Sequence, residues 1–168
     1  DASGAVVEAE PVAGVRAATT PVLGDSEINN GFATAKIIDR ANLRIAPNAN
    51  LGDQTDASIS VQGSIATSAD QDVFAITLQA GETLTLDIDF AGGLGGVFGL
   101  DSFVFVYDAA GNLVNFNYAA STALGGTGSI RSQDSYLQVT AGQTGTYYVV
   151  VKDFDEFGQS SAGAYTLQ

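Results

Sequence analysis

From Asp70 to Phe90 the chain alternates with a period of two. Phe74, Ile76 and Leu78 share one parity. After Gln79-Ala80-Gly81-Glu82, Leu84, Leu86, Ile88 and Phe90 form a second apolar set, separated by Thr85, Asp87 and Asp89. In an extended chain residues i and i+2 lie on one face, so each run predicts a strand with one buried side. The Ala80-Gly81-Glu82 turn between them predicts a β-hairpin. Asp70 and Asp72 stand at its entrance, spaced to share a face and to point toward a single cation.

The rest of the chain fits around this stretch. Alternating or doubly apolar segments at 57–65, 73–78, 83–90, 102–107, 113–118, 134–140, 146–151 and 164–168 predict about eight strands. Ser102–Tyr107 and Thr146–Val151 are apolar on both parities, as central strands are. Turn residues lie between the segments, and helical period is almost absent; only Phe32–Ile38 reads equally as short helix or strand. The expected fold class is all-β, an antiparallel β-sandwich of jelly-roll or Greek-key type. Residues 1–24, broken by Pro11, Pro21 and Gly24, read as a linker or extended N-terminal arm, and 25–168 as one domain. The start Asp1-Ala2-Ser3 lacks the basic and apolar regions of a signal peptide, so the expectation is a piece of a longer chain or a processed one.

Charge and missing residue types narrow the chemistry. Lys and Arg number 6 against 19 Asp and Glu, a net charge of −13, and the chain has no His, Cys, Met or Trp. So acidic a chain does not follow a phosphate backbone, and an anionic membrane surface repels it. No apolar run is long enough to span a bilayer as a helix, so membrane insertion is not expected. Without Cys there are no disulfides, thiol catalysts or Cys-based zinc sites. A serine nucleophile needs a base, and there is no His, no GxSxG, and no motif around Lys36 or Lys152, the lysines of the chain. Asp87 and Asp89 alternate on a predicted strand with no cleft signature and read as an exposed sheet face. No catalytic residue is expected. The acidity serves either solubility alone or hard-cation binding through oxygen ligands, and richness in Gly, Thr, Ser, Asp and Asn without Cys suits a bacterial extracellular protein stabilised by Ca²⁺ rather than by disulfides.

Several short segments in order carry a resemblance. Asp25-Ser26-Glu27-Ile28-Asn29-Asn30, Gly63-Ser64-Ile65, Asp70-Gln71-Asp72-Val73-Phe74, Leu78-Gln79-Ala80-Gly81, Phe105-Val106-Tyr107-Asp108-Ala109-Ala110-Gly111, Gly145–Val151 and Gly163–Leu167 resemble the bacterial pre-peptidase C-terminal domain over about 25–168. The resemblance implies a jelly-roll-like sandwich of secreted bacterial proteins, with Ca²⁺ bound in some members by an acidic arm and an Asp-rich segment before a strand. By that pattern Asp25, Glu27, Asn29 and Asn30 fall on the arm's ligand positions, and Asp70 and Asp72 on the second cluster. Asp25 stands where some members carry Glu. Length, acidity and lack of Cys are also similar to the peptide-binding modules of giant calcium-dependent (RTX-type) bacterial adhesins.

Calcium takes six to eight oxygens at about 2.3–2.6 Å, and these six residues supply most of them. The plainer alternative is that Asp25 caps a helix at Phe32 and the Asp pair is solvated. A second candidate is Asp153-Phe154-Asp155-Glu156, whose Asp153, Asp155 and Glu156 repel one another until a cation intervenes; Asp101 or Asp134 can join from neighbouring loops. Among loop aromatics, Phe154 and Phe157 flank acid and, with Asp101, are the candidate ligand-binding residues. The expectation is therefore a calcium-dependent adhesion module, monomeric within a larger secreted or cell-surface chain, that binds an extracellular peptide, protein or glycan. The alternative is a non-binding spacer that aids secretion or folding of an attached peptidase.

Overall fold

A computed structural model describes residues 21–25, 28–51, 55–89, 91, 99–126, 128–154 and 161–168. Among these, ten strands form: β1 (Val22–Gly24), β2 (Lys36–Ile37), β3 (Ser60–Ile65), β4 (Gln71–Leu78), β5 (Thr83–Asp89), β6 (Ser102–Tyr107), β7 (Leu113–Asn117), β8 (Tyr136–Thr140), β9 (Gly145–Asp153) and β10 (Gly163–Leu167). The helical content is two single turns, Phe32–Thr34 and Arg40–Asn42. The first sheet runs β1-β3-β10-β5-β8 and the second β2-β4-β9-β6-β7. The all-β sandwich expected from the alternation is the observed fold.

The sheets close on one core. Phe74, Ile76, Leu78, Val104, Val106, Val149 and Val151 of the second sheet meet Val61, Ile65, Leu86, Ile88, Tyr165 and Leu167 of the first. Alternate residues of each strand supply this face, as a period of two requires.

Asp70–Phe90 does not form the predicted hairpin. β4 pairs with β9 and β2, and β5 pairs with β8 and β10, so the turn at 79–82 is an arch from one sheet to the other. Alternation specifies which face is buried, not which strand is the neighbour, and both runs bury their apolar face in the same core from opposite sides. The similar Ala141-Gly142 turn is a second arch, between β8 and β9. The two arches bond to each other, Gly81 N to Ala141 O and Ala141 N to Glu82 O, each 2.8 Å. β6 and β7 form a true hairpin, closed by Asp108, whose carboxylate accepts from Ala110 N (2.9 Å) and Asn112 N (2.8 Å). Gly111 takes the φ of +80° that this turn needs.

Two short pairings are parallel, β1 with β3 and β2 with β4, where antiparallel pairing throughout was expected. Both belong to the N-terminal segment, which runs along the sheet edges. β1 lies within the stretch read as an arm, and Phe32–Ile38 divides into a helical turn and β2.

Tyr165 on β10 reaches across the sandwich to β4. Its neighbour in register is Gly63, where a Cβ would lie 2.5 Å from Tyr165 Cζ and Oη. Gly63→Ala should therefore displace the ring and cost about 1–3 kcal/mol, read as a lower denaturation midpoint at unchanged m-value.

Candidate functional site

The N-terminal segment brings its polar residues to the entrance of β4. Asp25 N bonds Gln62 O (2.8 Å), and Val73 N bonds Asn29 O (3.0 Å). Gln71 Nε2 bonds Asn30 O at 2.8 Å. These contacts bury Asn29 completely, beside an equally buried Asp72. Asn29 Nδ2 donates to Asp25 Oδ1 (2.9 Å), and the Tyr165 hydroxyl donates to Asp72 Oδ2 (2.6 Å).

Each of the three polar side chains is left with an oxygen lacking a partner: Asp25 Oδ2, Asn29 Oδ1 and Asp72 Oδ1. A buried acceptor with no donor is costly, and here three neighbouring side chains each carry one. The Asp72 carboxyl is pushed up to about 7, chiefly by burial. The Tyr165 hydrogen bond opposes this, while Asp25 raises it further by direct interaction and charge, and Asp70 by charge. Tyr165 is held protonated by burial and by Asp72.

The other predicted residues divide. Asn30 and Asp70 flank the site; the Asn30 amide, turned to satisfy its neighbours, donates to Gln71 O (2.6 Å) and Asp70 Oδ1 (3.2 Å). Asp70 Oδ2 also accepts from Ala66 N (2.8 Å). Asp25 does not cap the turn at Phe32, which starts at Gly31 without a side-chain cap. Glu27 lies outside the described residues. Among the described residues no three carboxylates are gathered as a ready metal cage, so the donor set at Asp72 is mixed: two carboxylates and an amide oxygen.

At the second predicted cluster, Asp153 ends β9 and is buried, its carboxylate accepting from Ser161 N (2.9 Å) and from the Ser161 hydroxyl. Phe154 N bonds Asp101 O (2.7 Å), and Ser161 Oγ accepts from Asp101 N (2.8 Å). Asp155, Glu156 and Phe157 lie outside the described residues. Asp134 does not join this group; its charge acts on Asp87 and Asp89.

Asp87 and Asp89 are not an exposed face. They are 1% and 0% exposed. Their parity does point away from the core, but Gly125, Gly128 and Ser129 roof them. A Cβ on Gly125 would lie 2.3 Å from Asp87 Oδ1, and one on Gly128 would lie 2.0 Å from Asp89 Oδ1.

The outer side of the second sheet carries a feature the alternation did not show. Phe103, Phe105 and Tyr107 alternate outward on β6. Phe103 is edge-on to Phe116, Tyr118 and Phe154, with ring centroids 5.6, 5.8 and 5.3 Å away. Tyr118 stacks on Phe154 at 4.6 Å, and Phe32 stacks on Tyr148 at 4.4 Å. Lys152 Nζ lies 4.9 Å from the Phe105 ring centre, a cation–π contact. Phe116 and Tyr118 are nearly half exposed.

A sequence model of the bacterial pre-peptidase C-terminal domain matches residues 70–153, half of the 168-residue chain. Among solved structures, the chain is similar to the pre-peptidase C-terminal domain of collagenase from Bacillus anthracis, with 13% identity, 92% of this chain and 98% of that chain covered, and TM-score 0.45. It is similar to Aeromonas hydrophila PliG, a periplasmic lysozyme inhibitor of g-type lysozyme, with 13% identity, coverage of 89% and 98%, and TM-score 0.47. A third is CorA, a surface-associated copper-binding protein of Methylomicrobium album BG8, with 10% identity, coverage of 89% and 98%, and TM-score 0.42. No curated protein sequence matches the chain.

Proposed function

The chain belongs to the bacterial pre-peptidase C-terminal domain family, and from that membership we propose that it is a non-catalytic, calcium-stabilised binding module of a secreted or cell-surface bacterial protein. The observation that carries the calcium reading is the trio of buried, unpartnered oxygens on Asp25, Asn29 and Asp72. These donors fit a hard cation that takes carboxylate and amide oxygens. Asp25, Asn29 and Asp72 would hold the ion, with Asp70 and Asn30 beside it. Bound calcium supplies positive charge that offsets the repulsion between Asp25 and Asp72. The residues themselves do the positioning: Tyr165 fixes one Asp72 oxygen, and Asn29 ties Asp25 to β4.

The binding surface is the aromatic outer face of the second sheet. Flat rings with half-exposed edges suit a sugar face or an apolar peptide side chain. Phe116, Tyr118 and Phe154 would make the contacts, with Asp101 bonded to Phe154 through the backbone at the margin. A panel of immobilised peptides and glycans, probed in calcium and in EDTA, tests this. Phe116→Ala and Tyr118→Ala should each weaken binding by roughly tenfold or more, as for aromatic anchors, with Tm almost unchanged. If the folded, calcium-loaded domain binds nothing in either panel, the module is a spacer that aids an attached peptidase.

A further inference from the structure

Three carboxylates lie in one buried place remote in sequence from the Asp25–Asp72 site. Asp87 and Asp89 occupy successive outward positions of β5, and Asp134 comes from the segment before β8. All three are at most 1% exposed. Each uses one oxygen and leaves the other bare. Asp87 Oδ1 accepts from the Ser129 hydroxyl (3.1 Å), Asp89 Oδ2 from Gln168 Nε2 (3.2 Å), and Asp134 Oδ2 from Ile130 N (2.9 Å) and Arg131 N (3.2 Å). Asp87 Oδ2, Asp89 Oδ1 and Asp134 Oδ1 have no partner.

From these bare oxygens, and from the glycines that close over them, we infer that a second divalent cation of the calcium class binds between Asp87 and Asp89, with Asp134 completing the negative surround. Burying like charges together without a counter-ion is unfavourable. Burial is the main cause that raises all three carboxyls, and the mutual charge of the acids adds to it at Asp87 and Asp89. Hydrogen bonds from the backbone of Arg131, Ile130 and Ala91, and then the Arg131 charge, lower Asp134, while the opposing influences at Asp87 and Asp89 are the neutral donors Ser129 and Gln168. The carboxylates do not already form a cage, and calcium's variable coordination allows the ion to draw them together with water. Gly125 and Gly128 let the roof approach the carboxylates more closely than any side chain allows. A cavity of about 470 Å³ has Asp87 and Gln168 in its wall.

The site is independent of the one at Asp72, so the two can fail separately. Calcium and terbium are the probes, applied to the whole 168-residue chain. The wild-type chain should bind one ion more than Asp89→Asn, and the same difference should appear with Asp87→Asn, while Asp72→Asn loses a different ion. Anomalous maps of terbium-soaked wild-type crystals should show a peak between Asp87 and Asp89. An ion count unchanged in both β5 variants overturns the inference. Should those variants not fold, the wild-type map alone decides, and a map with no peak beside Asp87 and Asp89 overturns it.

Discussion

Stripped with EDTA and then returned to millimolar calcium, the domain should gain about 10 °C in Tm, because an ion that binds only the folded chain at a thousand times its Kd adds about 4 kcal/mol and each kcal/mol moves Tm by about 2–4 °C in a domain of this size. The source of the gain is specific. Without the ion, Asp25, Asn29 and Asp72 each leave an unpartnered oxygen inside the protein. Asp72→Asn removes one charge while keeping the shape, so it should raise the stability of the stripped protein slightly and remove about half or more of the calcium gain. Thermal unfolding by circular dichroism, in EDTA and in calcium, reads both effects. A gain of equal size in Asp72→Asn would place the stabilising ion elsewhere.

Metal-free protein should lose stability as the pH rises from about 4 to about 8. Asp72 and Asp87 are pushed up to about 7 and Asp89 to about 8, against about 3.9 for Asp in an unfolded chain. Between those limits the folded chain holds protons that the unfolded chain has released. Stability therefore decreases with pH, by about 1.4 kcal/mol per pH unit for each extra proton held. Below about pH 4 both states are protonated and the contribution is complete. Asp134 is shifted in the same direction. The acids interact, so they titrate as groups rather than one by one. A fall in Tm of about 10 °C or more between pH 4.5 and pH 8.5 in EDTA is the expected result. Calcium should flatten the profile, because the ion takes the place of the protons. Growing self-repulsion in a chain of net charge −13 acts in the same direction. The paired substitution Asp87→Asn, Asp89→Asn separates the two: it should remove much of the slope if the buried acids cause it.

The strands were legible because alternation records burial directly. Leu84, Leu86 and Ile88 could face nothing but a core. Pairing was not legible, since Phe74–Leu78 and Leu84–Ile88 show the same pattern whether they form a hairpin or an arch. Asp87 and Asp89 were misread for a related reason. They continue the outward parity of Thr83 and Thr85, and only a loop about forty residues later distinguishes them, as a roof that covers the acids and leaves Thr85 exposed. Its signal was the clustered glycine of Gly125, Gly126 and Gly128 followed by Ser129. On β6, apolar character on both parities suggested full burial, yet Phe103, Phe105 and Tyr107 form an outer surface that is itself aromatic. The arm residues Asp25, Asn29 and Asn30 came only through the family resemblance; no local period marks Asn29 as buried, because its burial depends on the backbone bond to Val73.

Calorimetric titration of calcium into the EDTA-stripped chain at neutral pH measures calcium binding without an intermediary. Saturable binding with release of protons is expected, since Asp72, Asp87 and Asp89 are partly protonated there without the ion. Heats that vary with the ionisation enthalpy of the buffer would show that release. A titration without saturable heat in any buffer, on a chain shown to be folded, would contradict the account and leave the buried acids as protonated structural groups.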